Sequence, residues 1–404
     1  VGRDKSTYVT WRSDVENGGA GGDYWNTNYP QPTFVSSRHY YLHADCTAYA
    51  DFDFRHPDFH ELQFWAVPSS VRIEAADSYP ELLEKETAFF GRQPELPDWI
   101  HNGLIIGVQG GNERSFGLME KTLQHGIKVS ALWCQDWSGK RVTSFGKRLQ
   151  WDWHFQPEMY PGLPAEIEKL HARGIRFLGY INPYLVESGE LFREGLKKDV
   201  FARRSDGSIY LVDFGEFNCG VIDLTDPKAY NWFKDRVIKK CSIDIGIDGW
   251  MADFGEYLPT DDILLHSGKP AMIEHNHWPA LWAQCNYDAV TESGKLGDTV
   301  YFMRAGGTGS QKLTGDGNTK LNGTGNYIFV TLARGNFQNG DRIKIVISAV
   351  PGTEETKRLS VFTTNADGGW YKDISDVTEV GTYTLELGSD LPTTNTIGLR
   401  RTDT

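Results

Sequence analysis

The chain has 404 residues and a formal net charge of −13, a balance that argues against a nucleic-acid partner, whose phosphates need Lys and Arg to neutralise them. No apolar run approaches the roughly 18 residues that a membrane span needs. The five cysteines (Cys46, Cys134, Cys219, Cys241 and Cys285) are odd in number and show no C-x-x-C spacing, so neither a metal nor a redox motif is supported, and they read as buried free thiols in a reducing compartment.

Residues 1–80 read as part of a β-sandwich. YVTW, PTFVSS, HYYLHA, YADFDF, LQFWAV and VRIEAA are short, aromatic and β-branched, with Gly, Pro and Asp between them. SYPELLEKETAFFG (78–91) then has helical spacing and a Gly stop.

From Leu104 strands and helices alternate. The expected strands are LIIGVQ (104–109), KVSALWCQDW (128–137), IRFLGYINPYL (175–185), GIDGWMADFGEY (246–257) and DTVYFMRAGG (298–307). Helices are expected at 113–125, 164–174, 226–244 and 277–294, with a helix and a hairpin inserted at 186–224. Five βα units in a row predict an α/β fold, a partial TIM-type (β/α)8 barrel over 81–312, with its chemistry at the strand C-terminal ends. Gln109, Gln135, Asp136, Asn182, Asp253, Glu256 and Arg304 stand at those ends. A Gly/Asn/Thr linker (313–325) follows, then a separate all-β, sandwich-like module (326–404) of alternating strands, in which Trp370 and Tyr371 read equally as a sugar platform or as core.

Three segments carry candidate chemistry. In WMADFGE, Asp253 ends a buried strand, where a carboxylate costs free energy unless it is paired or used; such a group suits attack on an anomeric carbon, and position alone allows a loop cap equally. In QDWSGKRVTSFGKRLQWDW (135–153), Gln135, Arg148 and Trp151 can each donate hydrogen bonds, a set suited to a tetrahedral oxyanion; a solvated basic loop is the plainer alternative. In GVQGG (107–111), Gln109 either donates to a sugar hydroxyl or caps the loop. HNHWPALW places His275 and His277 at i, i+2, which does not put them on one helix face, so no metal site is expected.

These segments resemble glycoside hydrolase family 31, and within it the sulfoquinovosidase branch, through YPQPTFVSS, GVQGG, LWCQDWSG, SFGKR, YINPYL, LVDFGEF, DGWMADFGEYLPTD and FMRAG, in order over residues 8–312. The resemblance implies a retaining α-glycoside hydrolase with Asp253 as nucleophile. It implies Gln135, Arg148 and Trp151 as ligands of a sulfonate and Gln109 as a ligand of a sugar hydroxyl, with a sulfonated sugar as substrate and no metal or organic cofactor. Asp136 and Arg304, at neighbouring strand ends, join the expected substrate-binding set. The family pattern stops after TGSQK, before strands six to eight and before the segment in which the family places its acid/base. Asp316, in TGDGN, is the residue that resembles that acid/base segment. Two other functions stay open at this point: a family 31 glycosidase of neutral α-glycosides, and a non-catalytic carbohydrate-binding or structural protein. Location reads as cytoplasmic from the branch and the free thiols, with export as the alternative that an appended β-module suggests.

Overall fold

The apolar runs between Leu104 and Met303 become the strands of one parallel sheet. In the computed structural model these are Leu104–Gly107 (β1), Val129–Trp133 (β2), Arg176–Ile181 (β3), Gly249–Ala252 (β4) and Val300–Met303 (β5). Their order across the sheet, β5-β4-β3-β2-β1, is their order in the chain, and every pairing is parallel. Such a sheet is covered on both faces, so its strands read as continuous apolar runs; five residues of β3 and four of β2 are buried.

Helices Gly111–Gln124, Leu163–His171 and Trp278–Glu292 return the chain between strands. So does Pro227–Trp232, which continues into a π-helical segment, Phe233–Lys239. Leu163, Ile167 and Leu170 line the buried stripe of one of them. Asp226 opens another by accepting from the Lys228 amide, with Pro227 following it. Five tryptophans, Trp137, Trp153, Trp250, Trp278 and Trp282, are fully buried in this part of the chain. Gly249 lets β4 approach β5: a Cβ there would lie 2.1 Å from the Val300 carbonyl oxygen. Two additions sit beyond the strand C-terminal ends. One is a hairpin, Lys140–Thr143 with Gly146–Leu149; the other is a three-stranded antiparallel sheet, Tyr184–Val186, Asn218–Val221 and Leu211–Asp213.

The described residues are 3–4, 26–27, 31–93, 95–144, 146–307, 309–310, 327–331, 342–347, 357–362, 371–374, 381–388 and 396–403. The chain divides into two units, one of residues 2–30 and 93–317, the other of residues 31–92 and 318–404 with residue 1. The second unit is antiparallel. Thr33–Ser36, Tyr40–Ala44 and Val71–Ala75 form one sheet, and Ala50–Asp53 pairs with Glu61–Phe64. Helix Tyr79–Phe90 starts on the Ser78 side chain, as the spacing of 78–91 predicts. Tyr327–Thr331, Thr396–Asp403, Lys357–Phe362 and Tyr371–Ile374 make a four-stranded sheet, and Arg342–Ile347 pairs with Gly381–Glu386. The expected strand YVTW, the linker 313–325 and Trp370 lie outside the described residues. No helix among the described residues is long and apolar enough to cross a membrane.

Candidate active site

Asp253 is the first residue after β4, and its amide donates to the Ile181 carbonyl at the end of β3 at 2.9 Å. That bond fixes the carboxylate at the strand C-terminal end, 6% exposed. Tyr180, on β3, donates its hydroxyl to Asp253 Oδ2, and Asn182 Nδ2 donates to that hydroxyl at 3.4 Å. Arg304, the first residue after β5, sets its Nε 3.3 Å from Asp253 Oδ1 and its Nη2 2.5 Å from Glu256 Oε1. Both contacts are ionic without aligned N–H bonds: among the described residues, Asp253 Oδ1, both Glu256 oxygens, and Arg304 Nε and Nη2 are buried with no hydrogen-bond partner. Asp253 Oδ2 is therefore held by a hydrogen bond, and Oδ1 by the Arg304 charge.

Charge and burial oppose each other here. Burial raises the Glu256 carboxyl above its ordinary value, and the Arg304 cation offsets only part of this. For Arg304 burial works against the charge, but the Asp253 and Glu256 carboxylates outweigh it and hold the guanidinium above its ordinary range. Burial, then the Asp253 charge, keeps the Tyr180 hydroxyl protonated far beyond neutral pH, so it acts as a hydrogen-bond donor.

The loop after Asp253 is sharply turned. Phe254 has φ 61° and Gly255 φ 84°, both left-handed, a conformation that is unusual for a bulky residue such as Phe254. Packing holds it: the Phe254 ring lies 4.3 Å from the Arg304 guanidinium carbon and 5.1 Å from the Trp151 ring. His275 Nδ1 meets the Leu258 carbonyl at 2.6 Å, and the Tyr184 hydroxyl donates to the Tyr257 carbonyl. His277 pairs with Glu274 at 2.8 Å. Among the described residues no group of three His, Cys, Asp or Glu side chains could hold a metal ion.

The loops after β1 and β2 meet each other. Gln109 Nε2 donates to Gln135 Oε1 at 3.1 Å. Asp136, placed among the substrate ligands from sequence, is 0% exposed and turned into the protein. It accepts from the Gly110 amide at 2.8 Å and the Tyr160 hydroxyl at 2.5 Å, and pairs with Lys140 at 2.8 Å. Trp151 is buried among Phe254, Phe214, Phe217 and Tyr184. Arg148 is exposed on its hairpin strand, directly opposite Arg141. Asp316 lies outside the described residues.

Tyr180 was not singled out from sequence. Its hydroxyl is 73 positions from Asp253, and only the pairing of β3 with β4 joins them. Glu256 was noted at the strand end but given no role; its signal is the three-residue spacing, which a tight turn converts into a shared cation.

A parallel sheet of βα units with a buried carboxylate at a strand C-terminal end is the frame of a TIM-barrel enzyme site. Residues 107–323 match the glycosyl hydrolases family 31 TIM-barrel domain. The chain belongs to glycosyl hydrolase family 31. It is 54% identical over 312 residues to a sulfoquinovosidase of Escherichia coli K12 and 53% over 311 residues to one of Agrobacterium fabrum C58, each match covering 77% of this chain and 46% of the relative. A solved family 31 sulfoquinovosidase from E. rectale, in complex with an aza-sugar inhibitor, superposes with a TM-score of 0.72 at 72% identity, over 77% of this chain and 46% of that one. The chain thus spans about half the length of the relatives it matches.

Proposed function

We propose that the chain carries the nucleophile half of a retaining α-glycoside hydrolase site that takes α-sulfoquinovosides. The observation that carries this is the asymmetry of the Asp253 carboxylate: Oδ2 accepts from Tyr180 while Oδ1 has no hydrogen bond. An attacking carboxylate needs one oxygen fixed for orientation and the other with a free lone pair. In the first step Oδ1 bonds to the anomeric carbon as the glycosidic C–O bond breaks, and a general acid protonates the departing oxygen. In the second, water attacks the anomeric carbon, giving its proton to the group that served as acid, and the bond to Oδ1 breaks to return the carboxylate. Glu256 and Arg304 act as positioning residues: the Arg304 guanidinium, shared between the Asp253 and Glu256 carboxylates, fixes where Asp253 Oδ1 lies. Sulfonate recognition is assigned to Gln135, Arg148 and Trp151, and a sugar hydroxyl to Gln109. Asp136 then positions the two loops from behind. The identity to enzymes named sulfoquinovosidase supports this substrate over a neutral glucoside.

A 5-fluoro α-sulfoquinovosyl fluoride tests the assignment, because fluoride departs without an acid and the adduct accumulates. Mass spectrometry of the digested protein should find one added sugar, on the peptide that contains Asp253, and none in Asp253→Asn. Labelling elsewhere refutes the nucleophile; faster labelling by the matching glucosyl reagent refutes the substrate.

A further inference from the structure

Arg148 stands on a hairpin, Lys140–Thr143 with Gly146–Leu149, that forms a two-stranded sheet of its own. A lone hairpin is marginal in water. Arg148 is exposed on it and directly opposite Arg141, and like charges that face each other across a strand pair repel. Something outside the hairpin must set where the Arg148 guanidinium lies.

A turn of the three-stranded sheet supplies that support. DFGEF (213–217) joins Leu211–Asp213 to Asn218–Val221. Asp213 Oδ1 accepts from the Gly215 amide at 2.7 Å, and the Phe214 amide donates to the Phe217 carbonyl at 3.0 Å. Gly215 and Glu216 take φ 73° and 55°, the second uncommon for a residue with a side chain. Three side chains of this turn reach the sulfonate set. Glu216 accepts from the Ser144 amide, at the hairpin tip, with both of its oxygens, at 2.9 and 3.0 Å. The Ser144 hydroxyl, and then its amide, hold the Glu216 carboxyl below its ordinary value, so this clasp is ionised at neutral pH. The Phe217 ring centroid lies 4.3 Å from the Arg141 guanidinium carbon, a cation–π contact that engages the cation opposite Arg148. Phe214 and Phe217 also pack on Trp151, at 4.6 and 5.6 Å between ring centroids. One turn thus bears on both Arg148 and Trp151.

We propose that this turn is a specificity element: Glu216 and Phe217 are positioning residues that hold Arg148 and Trp151 at the spacing a tetrahedral sulfonate requires. A neutral sugar carries only a hydroxyl in place of the sulfonate, so a misplaced hairpin costs the sulfonated sugar most. The proposal rests on the sulfonate assignment above and adds residues that the assignment does not name.

The test compares how fast the full chain is labelled by 5-fluoro α-sulfoquinovosyl fluoride and by the matching glucosyl fluoride, neither of which needs a general acid. Glu216→Ala removes the clasp at an exposed position, and Glu216→Gln keeps its length and one acceptor oxygen. The ratio of second-order labelling rates, sulfonated over neutral, should fall about fivefold to tenfold in Glu216→Ala, part of what one charge-assisted bond is worth. The fall should come from weaker binding of the sulfonated reagent, with its limiting rate kept, and Glu216→Gln should restore much of the ratio. Hydrogen exchange in the peptide that carries residues 140–149 should quicken in Glu216→Ala, while the peptide that carries residues 176–181 stays as in wild type. An unchanged ratio, an equal slowing with both reagents, or an unchanged hairpin exchange overturns the proposal. A wild-type chain labelled no faster by the sulfonated reagent removes the sulfonate assignment, and the proposal with it; that failure shows in wild type, the others only in the variants.

Discussion

The bond between Tyr180 and Asp253 lends itself to a quantitative test that needs no substrate. Tyr180→Phe deletes one oxygen and leaves the ring in place on β3. Asp253 Oδ2 then loses its only hydrogen-bond donor among the described residues, in a residue that is 6% exposed. A hydrogen bond to a charged group contributes about 1.5–3 kcal/mol, against about 0.5–1.5 for a neutral pair. Urea denaturation of Tyr180→Phe at neutral pH should therefore show a loss near the upper range, with the slope of the transition unchanged. In an Asp253→Asn background the same substitution removes only a neutral bond. The double-mutant cycle should return a coupling of about 1 kcal/mol or more. If Tyr180→Phe costs the same in both backgrounds, the hydroxyl does not hold a charged Asp253, and the account of how the carboxylate is oriented fails.

Arg148→Met should depress turnover of an α-sulfoquinovoside by about tenfold to a hundredfold more than that of the matching α-glucoside, the worth of one charge-assisted bond; parallel kinetics on the two chromogenic glycosides check it. Gly249→Ala should destabilise the fold by about 2 kcal/mol or more, because its Cβ would meet the Val300 carbonyl oxygen at 2.1 Å and backbone cannot step aside as a side chain can; the denaturation midpoint reads this directly. Glu256→Gln should change how stability varies with pH. The native carboxyl titrates above its ordinary 4.5 because it is buried, so the folded state binds its proton more tightly than the unfolded one. Its contribution is present in full below about pH 4.5 and is lost as the pH rises through the folded value. Relative to wild type, Glu256→Gln should gain stability as pH climbs through that window, and denaturation at several pH values would show a flat difference if the carboxyl is not perturbed.

The parallel sheet was legible because its strands are buried on both faces, which leaves unbroken apolar runs such as VSALW and RFLGYI. Asp253 stood out because WMADFGE resembles the family's nucleophile segment; its position at the end of such a run allowed a loop cap equally. Its partners did not. Tyr180 reads as one more aromatic in an apolar strand, and nothing local shows that β3 will lie beside β4. Asp136 was placed with the ligands because it adjoins Gln135. In the structure both sit in a 3₁₀ turn, Gln135–Ser138, where successive side chains diverge by about 120°; Gln135 meets Gln109 while Asp136 goes inward. Trp151 was chosen as an indole donor, and the fold shows in addition that its ring packs against both Phe254 and Phe217.

The Asp136 carboxylate has a further consequence. A single buried anion holds the Gly110 amide, the Tyr160 hydroxyl and the Lys140 ammonium, and so fastens the loop bearing Gln109 to the one bearing Gln135. Amide exchange should register these as one cooperative opening, with Gly110 released only when the Asp136 turn is released. For anyone recasting the pocket to a different sugar, the two loops form a single inheritable part. Grafted together they carry their own clasp; grafted singly, either one leaves a buried charge behind.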